Sequence, residues 1–103
     1  MELEIDRLSA KYNVDKKSIT SIISCEGGIE GNAVQHNRLA NGTIWSSDFG
    51  PLQINDYFHE SVMEKQGLDI HDKFDSLEYG VKLFSSQGFG PWKASKHCWS
   101  KLL

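Results

Sequence analysis

The sequence predicts an α+β domain, mainly helical, with one small β-hairpin. Its length of 103 residues suits one domain, able to bury about 65% of its unfolded surface. Apolar residues recur at helical spacing in segments separated by glycine, Asp or Asn stops. From Gln35 to Ser47 that period vanishes, and Asn41-Gly42 stands there as a two-residue hairpin signal. No repeat, linker or low-complexity segment interrupts the chain, so a single domain is expected over 1–103.

The elements follow in order. Leu3, Ile5, Leu8 and Tyr12 mark a first helix over about residues 2 to 12, ended at Asn13. Asp15 is placed to cap a second helix through Cys25-Glu26, and Gly27-Gly28 stops it by supplying positive φ. Within it Ile19, Ile22, Ile23 and Glu26 fall at relative positions 0, 3, 4 and 7, which puts Glu26 on the apolar stripe. The bland alternative is a glutamate that swings out to water beside a helix stop. A carboxyl held against apolar surface loses solvation of its charged form, so its pKa rises and it can act as a general acid. The negative end of the helix dipole works in the same direction.

The hairpin's second strand brings Trp45 and Asp48 to one edge. Trp45 is read either as a core aromatic or as a ring that stacks on sugar. For Asp48 the structural reading is a strand-end carboxylate accepting hydrogen bonds from Ser46, Ser47 or a neighbouring turn. Asp56 is expected to cap a helix over about 57 to 66 with Phe58, Val62 and Met63 inward and Gly67 as its stop, followed by a loop over 68 to 73. Asp75-Ser76-Leu77-Glu78 has the form of a capping box and opens a helix with Leu77, Val81 and Phe84 buried, ending at Gly88. Pro91 suits the first turn of a last helix running from Trp92 to about Leu102.

Composition excludes several function classes. Fourteen acidic residues stand against eleven basic ones without a run of like charge, which argues against nucleic acid or an anionic membrane as partner. No segment has the length and apolarity of a membrane span, and Met1-Glu2-Leu3-Glu4-Ile5-Asp6 lacks the basic start and apolar stretch of a secretory signal. His36, His59, His71 and His97 show no ligand spacing, so neither a metal nor another cofactor is expected. Cys25 and Cys98 are too far apart for a C-x-x-C motif and read by themselves as two buried thiols. Three Trp, three Tyr and five Phe suit a cleft that stacks sugar rings, although core packing is the default use of any one of them.

Glu26 at a helix end, with Asp48-Phe49-Gly50-Pro51-Leu52-Gln53-Ile54-Asn55 following some twenty residues later, resembles the lysozyme-like superfamily. The resemblance runs from about Asp15 to Trp99 and is strongest to small bacterial and phage lytic transglycosylases and to animal-type lysozymes. It implies a lysozyme-like fold whose hairpin lobe forms one wall of a cleft. It also implies cleavage of the β-1,4 bond between N-acetylmuramic acid and N-acetylglucosamine in peptidoglycan. Glu26 takes the role of the acid, and Gln53 and Asn55 inherit substrate binding, with Trp45 and Trp92 as further candidates. In the resuscitation-promoting factors of this superfamily a cysteine just before the catalytic Glu is bridged to one near the domain end. By that likeness Cys25 and Cys98 form a disulfide, which implies an oxidising place of action.

The reaction type stays open between two mechanisms. In a lytic transglycosylase Glu26 works alone as acid and then base, and the substrate's C6 hydroxyl closes a 1,6-anhydro product. In a lysozyme Asp48 is the second carboxylate and water completes the reaction. The Gly27-Gly28 ending and the paired cysteines lean towards the transglycosylase. Two departures stand out: Gly27 follows Glu26 where many transglycosylases have Ser, and the Ala-Tyr-Asn-Ala-Gly motif whose Tyr orients the acid is absent. The residue that orients Glu26 is therefore unassigned, with Trp92 a candidate to wall it. The competing class is a non-catalytic module that binds glycan strands or serves a structural role. A monomer acting on the cell wall, from the periplasm, the exterior or a virion, is the expected setting.

Overall fold

A computed structural model describes the whole chain, Met1–Leu103. The order of elements is α1 (Glu2–Lys11), α2 (Lys16–Cys25), β1 (Val34–Arg38), β2 (Ile44–Phe49), β3 (Ile54–Asn55), α3 (Asp56–Lys65) and α4 (Lys73–Gln87). A C-terminal strap then runs through a 3-10 helix (Gly90–Ser95), α5 (Lys96–Trp99) and a second 3-10 turn (Ser100–Leu102). The α+β class with a dominant helical part is thus as expected. No helix is long and apolar enough to cross a membrane.

The helical core gathers Ile5, Leu8, Ile19, Ile22, Ile23, Leu52, Met63, Leu77 and Val81, with Trp92 and Trp99 from the strap. The α1 face is narrower than the sequence pattern, because Leu3 is 83% exposed while Ile5 and Leu8 are fully buried. Asp15 caps α2 as expected, its carboxylate accepting from the Ser18 backbone N–H. The two helical layers α1 and α4 are tied by Glu78, which accepts from Tyr12 Oη and pairs with Lys11. Glu78 is therefore not part of a capping box. Helix α4 begins a turn earlier than Asp75, with Asp72 accepting from the Phe74 and Asp75 backbone N–H groups, so the loop before it is shorter.

The hairpin gains a third strand. β1 and β2 pair antiparallel with Asn37 opposite Ser46 and Gln35 opposite Asp48, and β2 continues onto β3 with Asp48 opposite Asn55. The β1–β2 connection is the five residues 39–43 rather than a two-residue turn, with a register shift at Asn37/Arg38. Gly42 there has φ +89°, and Asn41 Oδ1 accepts from the Thr43 N–H. The cap of α3 is Asn55, not Asp56, and Asp56 instead accepts from the Ser47 N–H on β2. Of the three side chains expected inside α3 only Met63 is buried; Phe58 is 63% and Val62 41% exposed. The expected last helix is instead three short pieces, 3-10, α and 3-10, and Trp92 inside the first has non-helical backbone angles.

Two backbone junctions hold this arrangement. The Gly27 N–H donates to the Pro51 carbonyl at 3.0 Å, joining the end of α2 to the segment between β2 and β3. A Cβ on Gly27 would run into the Gly50 carbonyl oxygen and stand 2.8 Å from Pro51 Cα, so this position requires glycine for space, not for conformation. Gly28 is the residue with positive φ, at +79°, with nothing near its Cβ position. Cys25 and Cys98 are bridged with Cα atoms 5.9 Å apart at a sequence separation of 73, a closure worth about 4 kcal/mol in the chain-entropy model. Gly27→Ala is expected to cost about 3 kcal/mol by overpacking. Gly28→Ala is expected to cost about 1 kcal/mol through its left-handed backbone. Urea unfolding of the two variants measures both.

Candidate functional site

Glu26 is the C-terminal cap of α2, its N–H donating to the Ile22 and Ile23 carbonyls. Its side chain is half-buried, as the position next to the Ile19, Ile22 and Ile23 stripe requires. Ser95 Oγ on the strap lies 2.7 Å from Glu26 Oε1 and 3.1 Å from the Trp92 carbonyl. Burial raises the Glu26 pKa, the Ser95 hydrogen bond opposes that rise, and the Asp48 charge adds to it.

Asp48 sits in a different setting. Its Oδ1 accepts from Asn55 Nδ2 at 2.9 Å and its Oδ2 from Asn37 Nδ2 at 3.1 Å. The second hydrogen of each amide goes to Ser46 Oγ, at 3.1 and 3.0 Å. Two amides on the flanking strands thus fix the Asp48 carboxylate through one shared hydroxyl. The expected donors Ser46 and Ser47 do not bond Asp48: Ser46 bridges the amides, and Ser47 Oγ pairs with His36 Nδ1.

An open cavity of about 500 Å³ lies between the sheet and the helical part. One wall is Asp48, Gln53, Ile54 and Asn55 with Phe58 and His59 from α3; the other is Leu83 and Gln87 of α4 with Gly90, Pro91 and Trp92. Glu26 is not part of the lining, but Asp48, whose charge acts on it, is. Asp48 is thus the link between the cavity and Glu26.

The other sequence candidates divide by location. Gln53 and Asn55 are on the cavity wall. Gln53, with φ +52°, spends both amide hydrogens on the Ala33 and Gly50 carbonyls, so it pins its own turn and leaves Oε1 without a protein partner. Trp92 is buried and donates Nε1–H to the Leu52 carbonyl, so only part of its ring reaches the cavity. Trp45 is neither core nor cavity wall: it is 47% exposed and meets Tyr57 edge-on at 5.8 Å, with Tyr57 in turn edge-on to Phe58. These three rings form an exposed aromatic rim beside the cavity.

Asn37, Ser95 and Tyr79 are additions that the sequence reading did not contain, and His59 entered it only as a histidine without ligand spacing. Asn37 was findable in principle, since any pairing register that sets it opposite Ser46 also brings it near Asp48. Ser95 carried no signal, because its partner Glu26 lies 69 positions away in the sequence. His59 bonds Tyr79 Oη at 2.8 Å, and burial lowers the His59 pKa by disfavouring the charged ring. No three His, Cys, Asp or Glu side chains converge to hold a metal.

The raised Glu26 pKa fixes the sign of a stability effect. A carboxyl whose pKa is higher folded than unfolded gives stability that is complete below the unfolded value and is lost as pH rises through the folded one. Glu26→Gln is therefore expected to raise Tm at neutral pH, with the gap closing as pH falls from the raised folded pKa to about 4.5, the ordinary Glu value. Thermal unfolding of both proteins across pH checks this, and a gap that widens in acid has the wrong sign.

Neither protein-family models nor curated proteins match this chain.

Proposed function

We propose that this protein is a muramidase that cleaves the β-1,4 bond between N-acetylmuramic acid and N-acetylglucosamine in peptidoglycan, with Glu26 as the general acid. The observation that carries the reading is the contrast between two carboxyls close enough for the charge of one to act on the other, of which Asp48 lines the cavity. Glu26 is half-buried with a single hydroxyl partner, whereas Asp48 is held by two amides. Glycoside cleavage asks for such a contrast, because one group must keep a proton for the leaving oxygen while a negative charge steadies the oxocarbenium-like centre. Lysozymes are the reference case for that logic, and it is borrowed from them.

As a lytic transglycosylase the protein uses Glu26 twice. The acid gives its proton to the glycosidic oxygen, and the resulting carboxylate takes the proton of the substrate's C6 hydroxyl as that oxygen attacks the anomeric carbon. The Cys25–Cys98 bridge supports action in an oxidising compartment, such as the periplasm or the exterior. The exposed rim of Trp45, Tyr57 and Phe58 offers apolar faces to sugar rings along the approach to the cavity. A hydrolytic second reading is favoured by one feature, the rigid orientation of Asp48 by Asn37 and Asn55, which suits a carboxylate that takes a direct part.

Mass spectrometry of muropeptides released from purified peptidoglycan tests both readings. Glu26→Gln is expected to retain the fold and lose at least about 10²-fold in rate; activity within a few-fold of the parent would overturn the assignment. The transglycosylase reading predicts 1,6-anhydro products and a modest loss in Asp48→Asn. Reducing-end products with a loss of about a thousandfold in that variant, about 4 kcal/mol of barrier, would make the protein a hydrolase. Glycan binding without any cleavage would make it a non-catalytic module.

A further inference from the structure

The Ser95 hydroxyl has one hydrogen and two acceptors within reach, Glu26 Oε1 at 2.7 Å and the Trp92 carbonyl at 3.1 Å. The Trp92 carbonyl does not depend on it, because Trp99 Nε1–H already donates to that oxygen at 3.0 Å. Ser95 is therefore free to give its hydrogen to the carboxyl without leaving a buried acceptor unsatisfied. The geometry also separates the two oxygens of Glu26. Oε1 is occupied by Ser95, whereas Oε2 has no protein partner.

We propose that Ser95 is the positioning residue for Glu26: by occupying Oε1 it makes Oε2 the oxygen that carries the proton to the substrate. This rests on the reading of Glu26 as the acid. In the first half of the reaction the proton leaves Oε2 for the glycosidic oxygen as the glycosidic bond breaks. Ser95 keeps its own hydrogen throughout. A hydrogen bond to an ionised carboxylate is stronger than one to the neutral acid, so the Ser95 contact tightens as negative charge develops on Glu26. That gain is specific to the transition state, where it counts towards rate.

The strap holds Ser95 in place from both sides. Trp92, three residues before it, is anchored by its indole on the Leu52 carbonyl, and Cys98, three residues after it, is bonded to Cys25 beside Glu26. The charged surroundings are simple. Asp48 from β2 is the one charged group whose effect on Glu26 is resolved, while Lys93 and Lys96, on either side of Ser95 in sequence, are exposed. The segment of Gly50 and Pro51 packed against Gly27 brings no titratable side chain. A change in Glu26 titration on altering Ser95 is thus attributable to the hydroxyl.

The test compares Ser95→Ala and Ser95→Thr in the full chain, with carboxyl carbon NMR titration of Glu26 and the pH dependence of peptidoglycan cleavage. Ser95→Ala is expected to move the Glu26 titration and the descending, alkaline limb of the rate profile to higher pH. It should also lower kcat by about tenfold to a hundredfold with KM unchanged. Ser95→Thr keeps a hydroxyl and is expected to restore both the titration and most of the rate. An unshifted Glu26 titration in a folded Ser95→Ala protein overturns the proposal, as does a threonine variant that behaves like the alanine one. The NMR readout needs no turnover. If the parent protein cleaves nothing, the functional reading falls, and with it Oε2 as donor. If the parent cleaves and Glu26→Gln does not, an unchanged Ser95→Ala overturns the positioning role alone.

Discussion

The approach of two backbones at Gly27 is the constraint on which the site depends. Helix α2 can deliver Glu26 beside β2 only if its end is pressed against the Gly50–Pro51 segment, and the Gly27 N–H to Pro51 carbonyl bond fixes that contact. Any side chain at Gly27 would push the helical part and the sheet apart. The carboxyls of Glu26 and Asp48 would separate with them. The space requirement at one residue thus sets the electrostatics of another, since the Asp48 charge contributes to the raised Glu26 pKa.

The sheet is small, and most of its polar chemistry is spent on a single side chain. Asn37 from β1, Ser46 from β2 and Asn55 from β3 close a ring of hydrogen bonds around Asp48. Each strand contributes one donor or bridge, and Asn55 also caps α3 with its carbonyl oxygen. Sheet pairing, helix start and carboxylate orientation therefore share one amide. Such shared groups make the sheet edge rigid where it faces the cavity. The aromatic rim beyond it, Trp45 and Tyr57, is exposed, and the two rings meet edge-on.

Some of this was legible in the sequence, for identifiable physical reasons. The stripe of Ile19, Ile22 and Ile23 placed Glu26 correctly because helical periodicity is a local property that burial then respects. The positions of Asp15, Gly42, Gly67 and Gly88 were readable for the same reason, as each answers a local backbone need. The disulfide came from family resemblance, not from residues, since two cysteines alone do not choose a pairing. Tertiary choices were less legible. Asn55 outcompeted Asp56 as a cap because Asp56 had a better use on the Ser47 N–H. Phe58 and Val62 looked inward on a helical wheel, yet α3 lies over the sheet edge and turns Phe58 to the cavity. Ser95 meets Glu26 across 69 positions of sequence, a contact no window of sequence contains.

The Cys25–Cys98 bridge has one more consequence. Asp48, Ser95 and the whole sheet lie on the stretch of chain that it closes, and Glu26 is its second residue. A protease that cuts the exposed 39–43 connection would leave β1 and β2 on separate polypeptides, yet both would remain one covalent molecule. The ladder between β1 and β2 would still hold the cut ends in register. In surroundings rich in proteases the molecule can therefore be nicked without coming apart, and the fragments part only when reductant and denaturant act together.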